Sequence, residues 1–264
     1  MVREPRCVRL RCCDSQEPNR EASMAKQAVP PTLDIQDSER LRVALSRGDG
    51  SRHETALGSV TVEGKATGAR LVLCHGAGGG HESTFLTELR QRLAASGIQV
   101  VALEFAYMAT ARREGRRRPP PKIDTLMAEL TEWRRVLMEL DDGMPLWLGG
   151  KSMGGRVASL LATRIALAGL VLFGYPFHPP GKPTRLRLEH WPQIACPVLL
   201  FQGTRDPFGR RDEVEGYELP VQVECHFMDG GDHDWQVPKR CAHTQSTLID
   251  EATGHVARRL GASG

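Results

Sequence analysis

The sequence has 264 residues, of which 40% are hydrophobic and 25% charged, and its formal net charge at pH 7 is +3. A chain of this length can bury one sizeable core, which favours a single large α/β domain over two small ones. No apolar run approaches ~18 residues, and the N-terminal region lacks the apolar segment of a signal peptide, so we expect no membrane span, no secretion and a cytoplasmic location.

The first part of the chain differs from the rest. Residues 1–35 have no sustained apolar periodicity and predict a poorly ordered arm, whereas residues 36–264 form the predicted domain. Short apolar runs predict strands at 41–45, 58–63, 71–74, 98–105, 145–149, 169–173, 197–202 and 221–227. Apolar residues spaced three or four apart predict helices at 85–93, 123–140, 157–161 and 248–260. This alternation indicates a mainly parallel sheet, with the first two strands as an antiparallel pair at one edge.

The cysteines are odd in number and widely scattered. There are 7 of them, and none forms a C-x-x-C pair. This spacing predicts neither a disulfide framework nor a metal site. Cys74, Cys196 and Cys225 lie in or beside apolar runs, which indicates small buried side chains.

The segment GGKSMGG at 149–155 stands between a predicted strand and a predicted helix, and it contains G-x-S-x-G centred on Ser152. A nucleophile at such a turn needs a strained backbone, and side chains two residues away on either side would collide, so glycines are required there. The alternative is an ordinary glycine-rich turn. A phosphate-binding P-loop is excluded because Pro145 occupies the position of its first glycine.

The segment CHGAGGGH at 74–81 follows another strand. Its close-packed glycines can expose backbone N–H groups to a developing oxyanion, and we expect Ala77, or as second choice Gly78, to donate alongside the N–H of Met153. His75 is expected to brace this loop. A dinucleotide-binding G-x-G-x-x-G, with Glu104 as the ribose-binding acid, is a weaker alternative because the last glycine position is a histidine.

A serine nucleophile needs a base, and the base needs an acid that fixes its tautomer. Asp206 follows the strand at 197–202, and His233 follows the strand at 221–227. Parallel strands present their carboxyl ends at one edge of a sheet, so both side chains are expected near Ser152. The chain order Ser152, Asp206, His233 is the order expected for a nucleophile at a strand-to-helix elbow.

These motifs, together with GYPFHPPGKP at 174–183, resemble the α/β-hydrolase superfamily over roughly residues 40–260. They are most similar to a lidless group related to dienelactone hydrolases, which contains predicted hydrolases and animal relatives that are testis-expressed or associated with chromatin complexes. The resemblance implies an eight-stranded, mostly parallel sheet flanked by helices, with Ser152, Asp206 and His233 as a catalytic triad. The short span between Ser152 and Asp206 leaves no room for a large lid domain.

The expected activity is serine hydrolysis of a small ester-like substrate, a carboxylester or a thioester, through an acyl-enzyme, without cofactor or metal. The alternative is a non-catalytic binding or scaffold protein on the same fold.

One wall of the substrate site is expected from residues 174–183 with Trp191 and another from 106–122, although both segments are equally compatible with packed surface loops. Oligomeric state is left open.

Positive charge is concentrated at residues 111–122, where five arginines and one lysine face a single glutamate. This segment either attracts an anionic substrate or is a solvated loop. Tyr107 is the only aromatic residue near its arginines, so base stacking is not indicated and no nucleic-acid partner is expected.

Overall fold

The computed structural model describes residues 33–140 and 143–261. Most of the predicted N-terminal arm, including Cys7, Cys12 and Cys13, lies outside the described residues. The arm boundary at residue 35 stays a prediction.

One sheet of eight strands forms the centre of the fold. Its strands are β1 (Asp49–Thr55), β2 (Gly58–Glu63), β3 (Arg70–Cys74), β4 (Gln99–Leu103), β5 (Leu146–Lys151), β6 (Gly169–Phe173), β7 (Val198–Gly203) and β8 (Val223–Met228). They lie in the order β1-β2-β4-β3-β5-β6-β7-β8. β2 pairs antiparallel with both β1 and β4, and all other neighbours are parallel. The predicted eight-stranded, mostly parallel sheet is therefore confirmed.

Helices cover both faces of the sheet. They are α1 (Ile35–Arg47), α2 (Thr84–Ala95), α3 (Ala106–Glu114), α4 (Ile123–Glu139), α5 (Met153–Leu161), α6 (Arg211–Val214) and α7 (Gln245–Gly261). Buried residues of α1, α4 and α5 pack on one face, and those of α2 and α7 pack on the other. In β3, Val72 and Cys74 join the first core while Leu71 and Leu73 join the second, as the alternation of side chains along a strand requires.

The predicted strand at 41–45 is wrong, because these residues lie within α1. Leu41, Ala44 and Leu45 are its buried residues, a spacing that fits one face of a helix. The side chain of Asp34 caps the helix by accepting from the Asp37 amide, and Gly48 ends it in a left-handed conformation.

The predicted antiparallel pair of strands at the edge of the sheet is present, but its first strand is not the predicted one. β1 (Asp49–Thr55) pairs with β2, and its sequence DGSRHET lacks an apolar run. A solvent-facing edge strand does not need one, since little of it is buried. The segment 106–122 is also not a continuous loop, because α3 occupies residues Ala106–Glu114.

The remaining predicted strands and helices are found within a few residues of their predicted positions. No lid domain interrupts the described chain. Between Ser152 and Asp206 lie α5, β6, a loop with one short 3-10 helix (Trp191–Gln193), and β7. None of the helices in the described ranges is long and apolar enough to span a bilayer.

Candidate active site

Ser152 stands alone between the end of β5 and the start of α5, with φ of 52° and ψ of −115°. A non-glycine residue at positive φ is strained, and such strain persists only where the surroundings impose it. Here the strand and the helix meet without a spacer. The turn therefore projects the hydroxyl of Ser152 at the carboxyl edge of the sheet, next to the amino end of a helix.

The glycines two residues before and after Ser152 are required by close backbone contacts. A Cβ atom on Gly150 would lie 2.6 Å from the carbonyl oxygen of Cys74, and one on Gly154 would lie 2.5 Å from the same oxygen. Both distances are far below van der Waals contact. The predicted collision of side chains at these positions is therefore present, and the end of β3 is the obstacle.

Three side chains form a chain of hydrogen bonds at this edge. Nε2 of His233 lies 2.9 Å from Oγ of Ser152, and Nδ1 of His233 lies 2.7 Å from Oδ2 of Asp206. The other carboxylate oxygen, Oδ1, accepts from the amide of Phe208 at 2.8 Å. Asp206 is fully buried, whereas His233 is partly exposed beside the ring of Phe208. The arrangement fixes the imidazole so that its Nε2 faces the serine.

The loop after β8 is held against the loop after β7. The amide of Arg205 donates to the carbonyl of Gly231 at 2.9 Å. Gly203 allows this approach, since a Cβ atom there would lie 2.4 Å from the carbonyl oxygen of Asp232. Oδ1 of Asp232 in turn accepts from the amides of Asp234 and Gln236, both at 2.9 Å. These bonds position His233 from the backbone on both sides.

The glycine-rich loop after β3 passes directly beside Ser152. A Cβ atom on Gly76 would lie 3.7 Å from the Cβ of Ser152 and 3.6 Å from the carbonyl oxygen of Lys151. The next residues, Ala77 and Gly78, are exposed. Met153 is the first residue of α5, where amides have no partner within the helix. The loop and the helix end thus lie on either side of the serine.

His75 braces this loop, as expected. Its ring is fully buried, and Nε2 accepts from the amide of Phe105 at 3.1 Å while Nδ1 lies 2.7 Å from the carbonyl oxygen of Gly76. Burial lowers the pKa of His75 to about 4. The imidazole is therefore neutral at neutral pH, with one nitrogen accepting and the other donating. The hydroxyl of Tyr107 adds a bond to the carbonyl oxygen of Ala77 at 3.2 Å.

Lys151 and Asp234 are site residues that the sequence did not single out. The side chain of Lys151 is only 6% exposed, and its Nζ lies 3.2 Å from Oδ1 of Asp234. This ion pair lacks hydrogen-bond alignment, and Nζ has no hydrogen-bond acceptor among the described residues. Burial lowers the pKa of Lys151, and the carboxylates of Asp234 and Asp206 oppose that change. The only sequence signal was a lysine within G-x-S-x-G.

Half of the basic side chains in the segment at 111–122 are paired with acids. Arg116 and Arg118 contact Glu114 at 3.0 and 2.6 Å. Arg112 contacts Glu104 at 2.9 Å. Glu104 is buried and also accepts from Arg52 and Ser59, so its carboxylate is not available as the ribose ligand of the dinucleotide alternative.

The expected wall residue Trp191 belongs to the core. It is 1% exposed, and its ring packs at 4.9 Å from Tyr175 and 5.8 Å from Phe177. The packed interpretation of this segment is therefore correct for Trp191.

Two surface cavities of about 340 and 380 Å³ lie at the amino ends of the parallel strands, opposite Ser152. Neither cavity is lined by Ser152, Asp206 or His233.

Residues 67–260 match the family model described as an alpha/beta hydrolase domain. The chain belongs to the α/β-hydrolase family. Among solved structures, this α/β hydrolase is similar to a serine hydrolase without a lid from Xanthomonas campestris, with a TM-score of 0.60, 19% identity, and coverage of 81% of this chain and 95% of the other. It is also similar to dienelactone hydrolase from Anabaena variabilis, with a TM-score of 0.55, 17% identity, and coverage of 74% and 88%.

One curated relative of this α/β hydrolase is "Putative lipase ATG15" from Eremothecium gossypii, 29% identical over 139 residues. The match covers 47% of this chain and 25% of that protein, so the chain spans about a quarter of the relative's length. The predicted membership of the α/β-hydrolase superfamily, with a likeness to lidless and dienelactone-type members, is confirmed.

Proposed function

We propose that this α/β hydrolase is a serine hydrolase that cleaves a carboxylester or thioester of a small molecule through an acyl-enzyme. The hydrogen-bonded chain from Ser152 through His233 to Asp206 is the observation that carries the proposal. Three different strand ends contribute these residues, and the serine sits at a strained elbow. A purely structural role would not need a strained serine aligned with a partly exposed imidazole.

In the proposed reaction, Oγ of Ser152 attacks the carbonyl carbon while Nε2 of His233 takes its proton. The tetrahedral intermediate collapses when Nε2 returns that proton to the leaving group, which leaves the acyl group on Oγ. Water then attacks the acyl carbon and gives a proton to Nε2. Collapse of the second intermediate passes that proton to Oγ and releases the acid. Asp206 orients His233 and stabilises its cationic form.

The oxyanion is stabilised by the backbone N–H groups of Met153 and Ala77, with Gly78 as the second choice in the loop. The position of Met153 at the amino end of α5 supports its assignment, since amides there are free and the helix dipole favours negative charge. A Cβ atom on Gly76 would lie 3.7 Å from the Cβ of Ser152, so the loop runs close to the serine. This closeness supports the N–H of the next residue, Ala77, as the donor from the loop.

The substrate is expected to be small and to approach over an exposed edge without a lid. Of the basic segment, the exposed Arg113, Arg117 and Lys122 have no acidic partner within ion-pair distance among the described residues, so they are the side chains best suited to attract an anionic substrate. If the segment steers substrate, replacing Arg116, Arg117 and Arg118 by alanine raises KM for carboxylated esters selectively. An equal effect on neutral esters would assign the segment to solvation.

Location and domain limits are part of the same proposal. We place the protein in the cytoplasm, with residues 36–264 as the hydrolase domain. Support comes from the four described cysteines, Cys74, Cys196, Cys225 and Cys241, which are free thiols, the state that a reducing compartment maintains.

Turnover of short-chain and carboxylated esters and thioesters tests the activity. Ser152→Ala should lower kcat/KM by about 10³-fold or more, because it removes the nucleophile. Asp206→Asn should lower it by about 10⁴-fold while the amide still accepts from Phe208 and preserves the fold. A Ser152→Ala variant with the activity of the parent would overturn the assignment.

A further inference from the structure

Two histidines and a glutamate meet on the face of the sheet that α7 covers, away from Ser152. Glu224 and His226 lie two positions apart in β8 and therefore share one face of the strand, and His255 reaches them from α7. One possible metal-ligating atom from each residue lies within 4.8 Å of those of the other two. Cys225, between them, packs with the opposite core.

The two imidazoles are held by ring contacts. His226 stacks on the buried ring of Phe201 at 5.2 Å with an interplanar angle of 15°. The ring of His255 lies 3.8 Å from that of His226 and 6.2 Å from that of Phe201. Packing thus fixes both rings before any ligand binds, which reduces the entropy lost on binding.

We propose that Glu224, His226 and His255 bind one divalent transition-metal ion of the Zn²⁺ type. Two imidazole nitrogens and one carboxylate oxygen form a known zinc ligand set, with a fourth position left open. Ligands of a tetrahedral ion are about 3.4 Å apart at Zn–N and Zn–O bond lengths near 2.1 Å, so only small side-chain rotations are needed.

The contacts suit a cation. Nε2 of His226 lies 2.7 Å from Oε1 of Glu224, so an ion would replace the shared hydrogen between a nitrogen and a negatively charged oxygen. The neutral imidazole is the form that binds metal. The carboxylate of Glu224 is 56% exposed, which leaves a path for the ion from solvent.

Metal binding here would connect the two elements that border the His233 loop. β8 ends at Met228 and α7 begins at Gln245, and His233 lies in the segment between them. An ion bound to both elements would therefore join the two elements that flank this segment. Because the unfolded chain does not preserve this arrangement, binding stabilises the folded state. The site does not depend on the proposed hydrolase activity.

The test uses the full-length protein without a tag, stripped of metal, titrated with ZnCl₂ by calorimetry and with Co²⁺ by visible absorption. The parent should bind one equivalent through nitrogen and oxygen ligands, and Zn²⁺ should raise Tm. His255→Ala should weaken this site by at least about ten-fold and reduce the Tm shift. His53→Ala, in β1 at the opposite edge of the sheet, is the matched control and should bind as the parent does.

Glu224→Gln gives a second, independent variant, since its exposed side chain is not needed for folding, and it should also weaken binding. Three results would overturn the proposal: no Zn²⁺ bound by the parent, stoichiometry and Tm shift unchanged in His255→Ala and Glu224→Gln, or thiolate-to-Co²⁺ charge-transfer bands that assign the ion to cysteines.

Discussion

Nζ of Lys151 lies 3.2 Å from Oδ1 of Asp234, so an ion pair joins the residue before Ser152 to the residue after His233. The pair links the end of β5 to the loop that follows β8. The lysine is buried and the aspartate is mostly exposed. Ser152 and His233 are therefore connected twice, once through their own hydrogen bond and once through their neighbours.

Lys151→Met should separate stability from activity. A methionine of similar length avoids burying a charge, and the partner Asp234 is mostly exposed and stays solvated, so the unfolding free energy should stay the same or rise. Because the His233 loop loses its anchor, kcat/KM should fall, by up to ~10²-fold. Thermal unfolding and ester turnover measure the two effects. Lys65→Met, at an exposed lysine, is the control.

The same substitution has a predicted pH dependence. The folded-state pKa of Lys151 is lowered from 10.5, so burying the charged lysine lowers the free energy of unfolding. This loss is fully present below the folded-state pKa and disappears as pH rises towards 10.5. The stability advantage of Lys151→Met should therefore narrow at alkaline pH. A Tm below that of the parent with unchanged activity would contradict this role for Lys151.

His75 should make the fold sensitive to acid. Its pKa is about 4 in the folded state against 6.5 for an ordinary histidine, so its neutral form contributes stability that is complete above pH 6.5 and is lost as pH falls through 4. Between pH 7 and 4.5 the parent should lose about 2–3 kcal/mol more unfolding free energy than His75→Ala. Urea titrations at the two pH values measure this difference.

The matched control is His53→Ala, whose residue lies in the edge strand β1 away from the glycine-rich loop. It should lose as much stability between the two pH values as the parent does. An equal acid loss in the parent and in His75→Ala would contradict the assignment of this acid sensitivity to His75.

Gly154→Ala should damage the elbow. The new methyl group would lie 2.5 Å from the carbonyl oxygen of Cys74, which is backbone and cannot rotate away. We expect a loss of about 1–3 kcal/mol in unfolding free energy and the loss of ester turnover. Gly68→Ala is the control, because a Cβ atom there meets nothing within 4 Å. Equal stability of the two variants would show that the elbow tolerates a side chain.

The sequence predicted the parts of the fold that are governed by apolar patterns. Buried parallel strands such as β3 and β6 are continuous apolar runs, so they were recognised. β1 was not recognised, because a polar edge strand buries too little to leave a pattern. Residues 41–45 were misassigned, since a short apolar run fits either a strand or a helix face.

One part of the candidate site could be predicted from the sequence and another part could not. Gly150, Ser152 and Gly154 follow from local geometry that a short motif specifies. The Lys151–Asp234 pair joins residues 83 positions apart in sequence, and only the packing of the β8 loop against β5 brings them together. The zinc-type cluster is likewise invisible in the sequence, because His255 reaches β8 only when α7 folds onto the sheet.

The proposed hydrolysis requires Ser152 to be an activated nucleophile. Incubating the purified protein with a fluorophosphonate probe and measuring the intact mass tests it directly, beside Ser152→Ala and His233→Ala. We expect one adduct on the parent, located on Ser152, and no adduct on either variant at the same exposure. A folded parent that remains unlabelled, or an adduct that persists in Ser152→Ala, would contradict it, and the unlabelled result would favour a binding or scaffold role.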